Sequence, residues 1–155
     1  MTSTYIREQL IDRDLHEVFE FFADASNLEA ITPPWLHFQT ITPMPVVMEQ
    51  GVTMEHRLRL HRIPFSWVTE ITEWMPPFQF ADSQKSGPFA DWIHTHHFTT
   101  MPSGTLMTDT VVYRVPGRWA GRVIDRLYVE RDVKRIFDFR QGAITRLISA
   151  TRYGS

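Results

Sequence analysis

The sequence contains no cysteine among its 155 residues and no uninterrupted apolar stretch of membrane-spanning length. The absence of cysteine excludes disulfide bonds and thiolate metal ligands. The longest uncharged run covers 30–48, but it contains Pro33, Pro34, Pro43 and Pro45 together with polar residues. Because proline interrupts a helix, this run predicts a loop and a short strand, and we expect no transmembrane segment.

Targeting signals and a strong charge imbalance are also missing. The N-terminal residues 1–8 show no basic patch followed by an apolar run, which predicts no signal peptide and a cytoplasmic protein. The formal net charge of -2 gives no overall attraction to nucleic acid. The length is typical of one domain covering residues 1–155, and 43% of the residues are hydrophobic and can fill its core.

The N-terminal part predicts a strand followed by two short helices. Residues 5–11 alternate as a strand, and Asp12 or Asp14 can cap a helix with apolar residues at 15, 18, 19 and 22. Ser26 can cap a second helix that ends near residue 30, before the two consecutive prolines. A short strand is expected at 38–42.

The central and C-terminal parts predict an antiparallel sheet and a long helix. Apolar residues recur with a period of two over 53–115, interrupted by turn sequences at 62–64, 75–77, 86–88 and 101–104. Residues 118–151 predict a helix with apolar stripes on two opposite sides, so we expect a kink near 129–132. The fold class is therefore α+β, with a curved antiparallel sheet around a long C-terminal helix.

Strand alternation places ionisable side chains on the inner face of this sheet. The turn at 101–104 pairs Thr100 with Thr105, which sets His96 opposite Asp109 and leaves His94 on the same face. His56 shares the apolar face of its own strand. Buried ionisable groups are costly unless they are paired, so these side chains are the candidates for a polar site.

Three interpretations of this polar set remain open. His96, oriented by Asp109 and assisted by His94, could act as a general base. The same pair could instead be a hydrogen-bonded contact that fixes strand register. His94, His96 and Asp109 also resemble a metal triad. Because the further acidic ligand of a His-X-His metal motif is missing, we expect no metal and no other cofactor.

The long helix adds Arg140, whose helical phase matches the apolar stripe of Val133, Phe137 and Ile144. Its guanidinium could pair with Asp109, bind an anionic group of a ligand, or extend to the surface. Together the strands and the helix predict an apolar cavity, although aromatic strand residues are equally typical of a packed core. The predicted ligand-binding residues are Met54, His56, Leu58, Trp67, Trp92, Phe98, Met107, Val111, Tyr113, Phe137, Arg140 and Ile144.

Two features expected at the surface also allow more than one interpretation. Trp35 lies in the proline-rich loop and could be a gate over the cavity or a loop anchor. Arg114, Arg118, Arg122 and Arg126 could form a basic stripe that contacts an anionic membrane or RNA. The interleaved acidic residues favour a solvated salt-bridge face, and no nucleic-acid-binding motif accompanies the stripe. Peripheral membrane contact and the oligomeric state stay open.

The order of elements resembles the START-like, Bet v 1-like helix-grip superfamily (SRPBCC), including its polyketide cyclase/dehydrase and lipid-transport branch. Segments 27–34, 92–96, 104–109 and 135–140 are similar to those of small bacterial ligand-binding members. The resemblance implies a cavity between sheet and helix for lipids, sterols, polyketides or hormone-like molecules. We therefore expect binding or transport of a hydrophobic small molecule, with a polyketide cyclase/dehydratase-like enzyme using His96, Asp109 and His94 as the alternative.

Overall fold

Seven antiparallel strands form one sheet in the computed structural model, which describes residues 2–117, 120 and 125–150. The strand order across the sheet is β1-β7-β6-β5-β4-β3-β2. The strands are β1 (Ser3–Ile11), β2 (Gln39–Thr40), β3 (Thr53–Leu60), β4 (Ile63–Met75), β5 (Gln79–Ser86), β6 (Asp91–Met101) and β7 (Gly104–Arg114). The predicted meander is confirmed, and the strand expected at 38–42 is shorter than predicted.

The first helix, α1 (Leu15–Ala23), begins where the sequence supplies a cap. The carboxylate of Asp14 accepts hydrogen bonds from the backbone N–H groups of His16 and Glu17, at 2.8 and 3.1 Å, so Asp14 is the N-cap and not Asp12. The helix buries Val18, Phe19 and Phe22 against the sheet.

The second predicted helix is only a 3-10 turn, Ala25–Asn27, and does not extend to residue 30. The Asp24 carboxylate accepts hydrogen bonds from the backbone N–H and the hydroxyl of Ser26, at 3.0 and 2.6 Å. Asp24 is therefore the cap in place of Ser26, whose hydroxyl is already used. A further 3-10 turn, Pro34–Leu36, forms where a loop was predicted, because proline suits the first turn of a helix.

The C-terminal helix changes type close to the predicted kink. A π-helical turn, Asp125–Val129, leads directly into the α-helix α2 (Glu130–Ala150). A π-helical turn alters the helical phase, so the two apolar stripes need not face the same surface. The shorter helix predicted before the kink lies outside the described residues, apart from Ala120.

The inner face of the sheet follows the predicted alternation. Trp92 lies opposite Tyr113, His96 opposite Asp109 and Phe98 opposite Met107, which confirms the predicted register of β6 and β7. On β1, Arg7 points toward α2 and donates hydrogen bonds to the side chains of Gln141, at 2.6 Å, and Asp138.

Helix α1 and the C-terminal half of α2 close one end of the sheet with a packed core. Phe19 of α1 contacts Phe98 of β6 at a ring-centroid distance of 5.5 Å. Ala143 and Ile144 of α2 and Met107 of β7 belong to the same cluster. The N-terminal half of α2 lies over the other end. No helix among the described residues combines the length and the apolar character needed to cross a bilayer.

Candidate functional site

A cavity of about 440 Å³ lies between the inner face of the sheet and the N-terminal half of α2. Its volume falls within the range of about 300–1,000 Å³ that is usual for small-molecule sites. The walls are mostly apolar and come from α1, from the turns that follow it, from β3 to β6 and from α2.

Several of the predicted ligand-binding residues lie in this wall. They are Met54, His56, Leu58, Trp67, Trp92, Phe137 and Arg140, and the wall also contains His94 and His96. Two of the aromatic side chains among them are in contact, since the rings of Trp67 and Trp92 lie 5.3 Å apart and nearly perpendicular. This end of the sheet therefore presents a rigid aromatic surface to the cavity.

Other predicted ligand-binding residues lie in the packed core and not in the cavity wall: Phe98, Met107, Val111, Tyr113 and Ile144. They share the correct face of the sheet or helix, but neighbouring side chains cover them. Phe98 lies beneath Phe19 and Phe22 of α1, with ring centroids 5.5 and 5.6 Å away. Strand alternation gives the face of a residue and does not show which part of that face a helix will cover.

Two histidines and two aspartates form a polar cluster at the cavity wall. Because an ionised carboxylate only accepts hydrogen bonds, His94 donates through Nε2 to Asp109 Oδ1, 2.7 Å away. His96 donates through Nε2 to Asp82 Oδ2 at 3.1 Å. The imidazole rings of His94 and His96 are 3.8 Å apart between centroids. We refer to these four residues as the His–Asp cluster.

The predicted contact between His96 and Asp109 is present in a weaker form. His96 Nδ1 lies 3.1 Å from Asp109 Oδ1, an ion-pair distance, but the two atoms are not aligned for a hydrogen bond. The best-aligned bond of Asp109 goes to His94, which is diagonal to it across the two strands. Asp109 therefore lies behind the imidazoles and does not line the cavity.

The sequence interpretation missed Asp82, which is the second carboxylate of the cluster. Asp82 lies on β5 opposite His94, and Phe80 lies opposite His96. The ring of Phe80 stacks on the imidazole of His96 at 4.1 Å. Residues two apart in a strand point to the same face of the sheet. The aromatic side chain of Phe80, which is typical of a buried position, could therefore have indicated that Asp82 also faces inward.

The pKa values of the two histidines are shifted in opposite directions. Burial is the largest influence on His96 and lowers its pKa, but the carboxylates of Asp109 and Asp82 outweigh it, so the pKa of His96 is raised. Burial and the neighbouring His96 charge lower the pKa of His94 despite its bond to Asp109. At neutral pH this favours a neutral His94 beside a more readily protonated His96.

The carboxylates of Asp82 and Asp109 remain ionised because positively charged and hydrogen-bonding groups surround them. Burial opposes ionisation of Asp82 and Asp109, but the histidine partners and the charge of Arg140 overcome it, so the pKa of each is lowered. The cluster thus holds two negative charges that are compensated by His96 and by Arg140 of α2. Buried charges of this kind are costly unless opposite charges compensate them.

Arg140 faces the cavity, as its helical phase predicted. Its guanidinium carbon lies 5.5 Å from the ring centroid of Phe22 and 5.9 Å from that of Phe137. The Nε atom is buried, and none of the described residues gives it a hydrogen-bond partner. Among the described residues, the carboxylates of Asp82 and Asp109 form their ion pairs with the histidines and not with Arg140.

His56 occupies a separate position in the wall. Its Nδ1 atom lies 3.1 Å from the hydroxyl of Thr40, and its ring stacks on Phe38 at 4.8 Å. Burial lowers the pKa of His56, because the nearby acidic groups compensate only in part. His56 therefore favours the neutral form and adds a polar contact without a permanent charge.

A metal ion could be held by a different triad from the one considered in the sequence. Asp82, His94 and His96 each offer one ligand atom, and these atoms lie within 4.8 Å of one another. Asp109 belongs to no such group among the residues that the structure describes. Within the cluster, Nε2 of His96 is already hydrogen-bonded to Asp82 and Nε2 of His94 to Asp109, while Nδ1 of His96 has no hydrogen-bond partner among the described residues.

The surface features occupy other places. The ring of Trp35 is half exposed, packs against Phe139 at 5.7 Å and lies under the guanidinium of Arg135, but it does not line the cavity. This position corresponds to a loop anchor. Arg114 pairs with Asp91 at 2.6 Å. The remainder of the predicted basic stripe, Arg118, Arg122 and the side chain of Arg126, lies outside the described residues.

Comparison with known proteins identifies relatives of this fold. Residues 11–137 match the family model described as polyketide cyclase / dehydrase and lipid transport. Protein Ms6760 from Mycobacterium smegmatis has a similar structure, with a TM-score of 0.70, 16% identity, and coverage of 96% of this chain and 92% of that chain. Protein TTHA0849 from Thermus thermophilus also has a TM-score of 0.70, with 15% identity and coverage of 97% of this chain and 99% of that chain.

A plant protein shows the same architecture. Ginseng major latex-like protein 151 from Panax ginseng has a TM-score of 0.58, 16% identity, and coverage of 86% of this chain and 96% of that chain. Identities at this level establish a shared fold and nothing about the ligand. No curated protein matches the sequence significantly. On the family match over residues 11–137 and the shared fold, the chain belongs to the polyketide cyclase / dehydrase and lipid transport family, within the Bet v 1-like SRPBCC superfamily.

Proposed function

We propose that this protein binds a hydrophobic small molecule in the cavity between the sheet and α2. Family and fold support hydrophobic ligand binding in general. The observation that carries the specific proposal is the cavity itself, about 440 Å³ in volume and walled mainly by apolar side chains. A cavity of this size and character, with a few polar groups at one place in its wall, is the usual form of a small-molecule site.

The walls favour a flat, apolar ligand body. Trp67, Trp92 and Phe89 form a contiguous aromatic group, with ring centroids between 4.8 and 5.7 Å apart. Such rings offer large apolar faces and hold fixed positions because they pack on each other. The polar end, at His94 and His96, would then orient the ligand within the cavity.

A fluorescent aromatic probe tests this proposal. N-phenyl-1-naphthylamine (NPN) is neutral and gains fluorescence in apolar surroundings, so its titration reports occupation of such a cavity. Leu58 is buried in the wall, and Leu58→Trp would place an indole in the space that the ligand uses. We expect saturable binding to the wild type and a dissociation constant at least about 10-fold higher in the variant, a loss of ~1.4 kcal/mol.

The matched control is Leu10→Trp, because Leu10 is 53% exposed on β1. This control should bind NPN like the wild type. Circular dichroism and cooperative urea unfolding establish that both variants are folded. Equal binding by the wild type and a folded Leu58→Trp variant would refute the cavity as the site.

Proton transfer is a second candidate function. The 2.7 Å hydrogen bond from His94 to Asp109 favours it, because a carboxylate that orients a neutral imidazole is a common general-base arrangement. His94 would accept a proton from a carbon next to a carbonyl group and leave an enolate. The proposed base is therefore His94, whose pKa is lowered, and not His96, which the sequence predicted as the base and whose pKa is raised.

Isotope exchange tests the second candidate. In deuterated buffer, NMR follows the loss of the methyl protons of 2-acetonaphthone, an aromatic ketone. We expect the wild type to accelerate this exchange and His94→Gln to abolish the acceleration. The control is His97→Gln on the outer face of the same strand, which should exchange like the wild type. Exchange that is equally fast in the His94→Gln variant would exclude His94 as the base.

A further inference from the structure

Arg140 lines the cavity and is one of two residues there, with His96, that have a buried polar atom without a hydrogen-bond partner among the described residues. Its Nε–H group is buried and has no acceptor in the described part of the chain. A guanidinium has five donor hydrogens and no acceptor, so it is satisfied only by acceptor atoms such as carboxylate oxygens. The nearby carboxylates of Asp82 and Asp109 direct their ion pairs to His96 and His94.

The surroundings hold the guanidinium in place without satisfying it. The rings of Phe22 and Phe137 lie within 6 Å of its central carbon, at 5.5 and 5.9 Å. Aromatic faces attract a cation but accept no strong hydrogen bond. Because the Nε atom is buried, an anion that reached it would interact more strongly there than at the surface.

The carboxylates nearest to Arg140 have histidine partners of their own, although Asp82 also lines the cavity. The negative charges of Asp82 and Asp109 lie on the sheet, where the imidazoles of His94 and His96 contact them. Arg140 belongs to α2 and contributes its positive charge from the helix side of the cavity. An anionic ligand group would therefore meet a donor fork whose geometry matches a carboxylate or a sulfonate.

We propose that Arg140 recognises an anionic group of the ligand, so that this cavity selects apolar aromatic monoanions over neutral molecules of the same shape. The inference rests on the proposed binding function and names the ligand class that the same site prefers. It gives Arg140 a role in ligand recognition in addition to its electrostatic effect on Asp82 and Asp109.

Two fluorescent probes with the same aromatic body test this selectivity. 8-Anilinonaphthalene-1-sulfonate (ANS) carries one sulfonate, whereas NPN has the same anilinonaphthalene rings and no charge. Dissociation constants for both are measured by fluorescence titration of the wild type, Arg140→Met and Arg140→Lys. Competition between the two probes in the wild type shows that they share one site.

We expect Arg140→Met to weaken ANS binding at least about 10-fold while changing NPN binding less than about threefold. Arg140→Lys should keep part of the ANS preference, because lysine retains the charge and loses the planar fork. The control is Arg146→Met, which removes the same charge from an exposed position of α2 and should change neither probe.

Three results would overturn the inference, and they have different meanings. If Arg140→Met weakens ANS and NPN equally, Arg140 only shapes the cavity. If the wild type binds NPN but not ANS, the cavity rejects anions and the binding function alone survives. If the wild type binds neither probe, the proposed binding function fails together with this inference.

Discussion

Replacing Asp109 with asparagine would remove the carboxylate that both inner histidines contact. Asp109 is 5% exposed, accepts a 2.7 Å hydrogen bond from His94 and lies 3.1 Å from His96 Nδ1. Removing one partner of a buried ion pair costs ~3–5 kcal/mol. Asparagine has nearly the same shape, and its amide oxygen can still accept from His94. We therefore expect a loss of about 3 kcal/mol in the free energy of unfolding, at the lower end of that range.

The pH dependence of this loss follows from the shifted pKa values. The pKa of Asp109 is lowered, so its stabilisation is present above the ordinary value of 3.8 and is lost as pH falls. The pKa of His96 is raised, so its stabilisation is complete below the ordinary value of 6.5 and is lost as pH rises through the folded value. The difference between wild type and variant is therefore largest from about pH 4 to pH 6.5 and decreases on both sides.

Urea unfolding followed by tryptophan fluorescence measures the difference at several pH values. With a urea dependence of about 2 kcal/mol per molar, 3 kcal/mol lowers the midpoint by roughly 1–2 M. The control is Asp91→Asn, which removes an exposed carboxylate paired with Arg114 and should cost ~0–1 kcal/mol. A loss below about 1 kcal/mol at pH 5.5 for Asp109→Asn, or a difference that is independent of pH, would refute the reasoning.

Two further predictions concern the histidines and the core. In an NMR titration, the rings of His56 and His94 should titrate below the ordinary value of 6.5 and the ring of His96 above it; the reverse order would contradict the assigned charges. Phe98→Ala should lower the free energy of unfolding by ~3–5 kcal/mol because Phe98 is 1% exposed. The control Phe78→Ala, at a 56% exposed position, should change it by ~0.5 kcal/mol or less. Similar losses for the two variants in urea unfolding would contradict the packing described.

Much of the fold could be predicted because its signals are local. Alternation and turn residues define the strands, and the turn between Thr100 and Thr105 alone fixes the register that places His96 opposite Asp109. The phase of α2 likewise places Arg140 toward the sheet. These predictions depend on neighbours in the sequence or on one short turn.

The site could be predicted only in part because it depends on contacts between distant elements. Asp82 comes from a strand whose inner face was not assigned, and it takes the imidazole that was expected for Asp109. The extent of the cavity depends on where α1 and the C-terminal half of α2 cover the sheet. That coverage places Phe98 and Met107 in the core while leaving Leu58 at the cavity.

Occupation of the cavity by an apolar molecule is the central claim, and native mass spectrometry tests it most directly. The protein is purified from its own host under non-denaturing conditions and measured before and after addition of NPN. We expect a bound small molecule that NPN displaces in a 1:1 complex, and a much smaller fraction of each complex in the Leu58→Trp variant. A bare chain before and after addition of NPN, or the same complexes in the Leu58→Trp variant, would contradict the account.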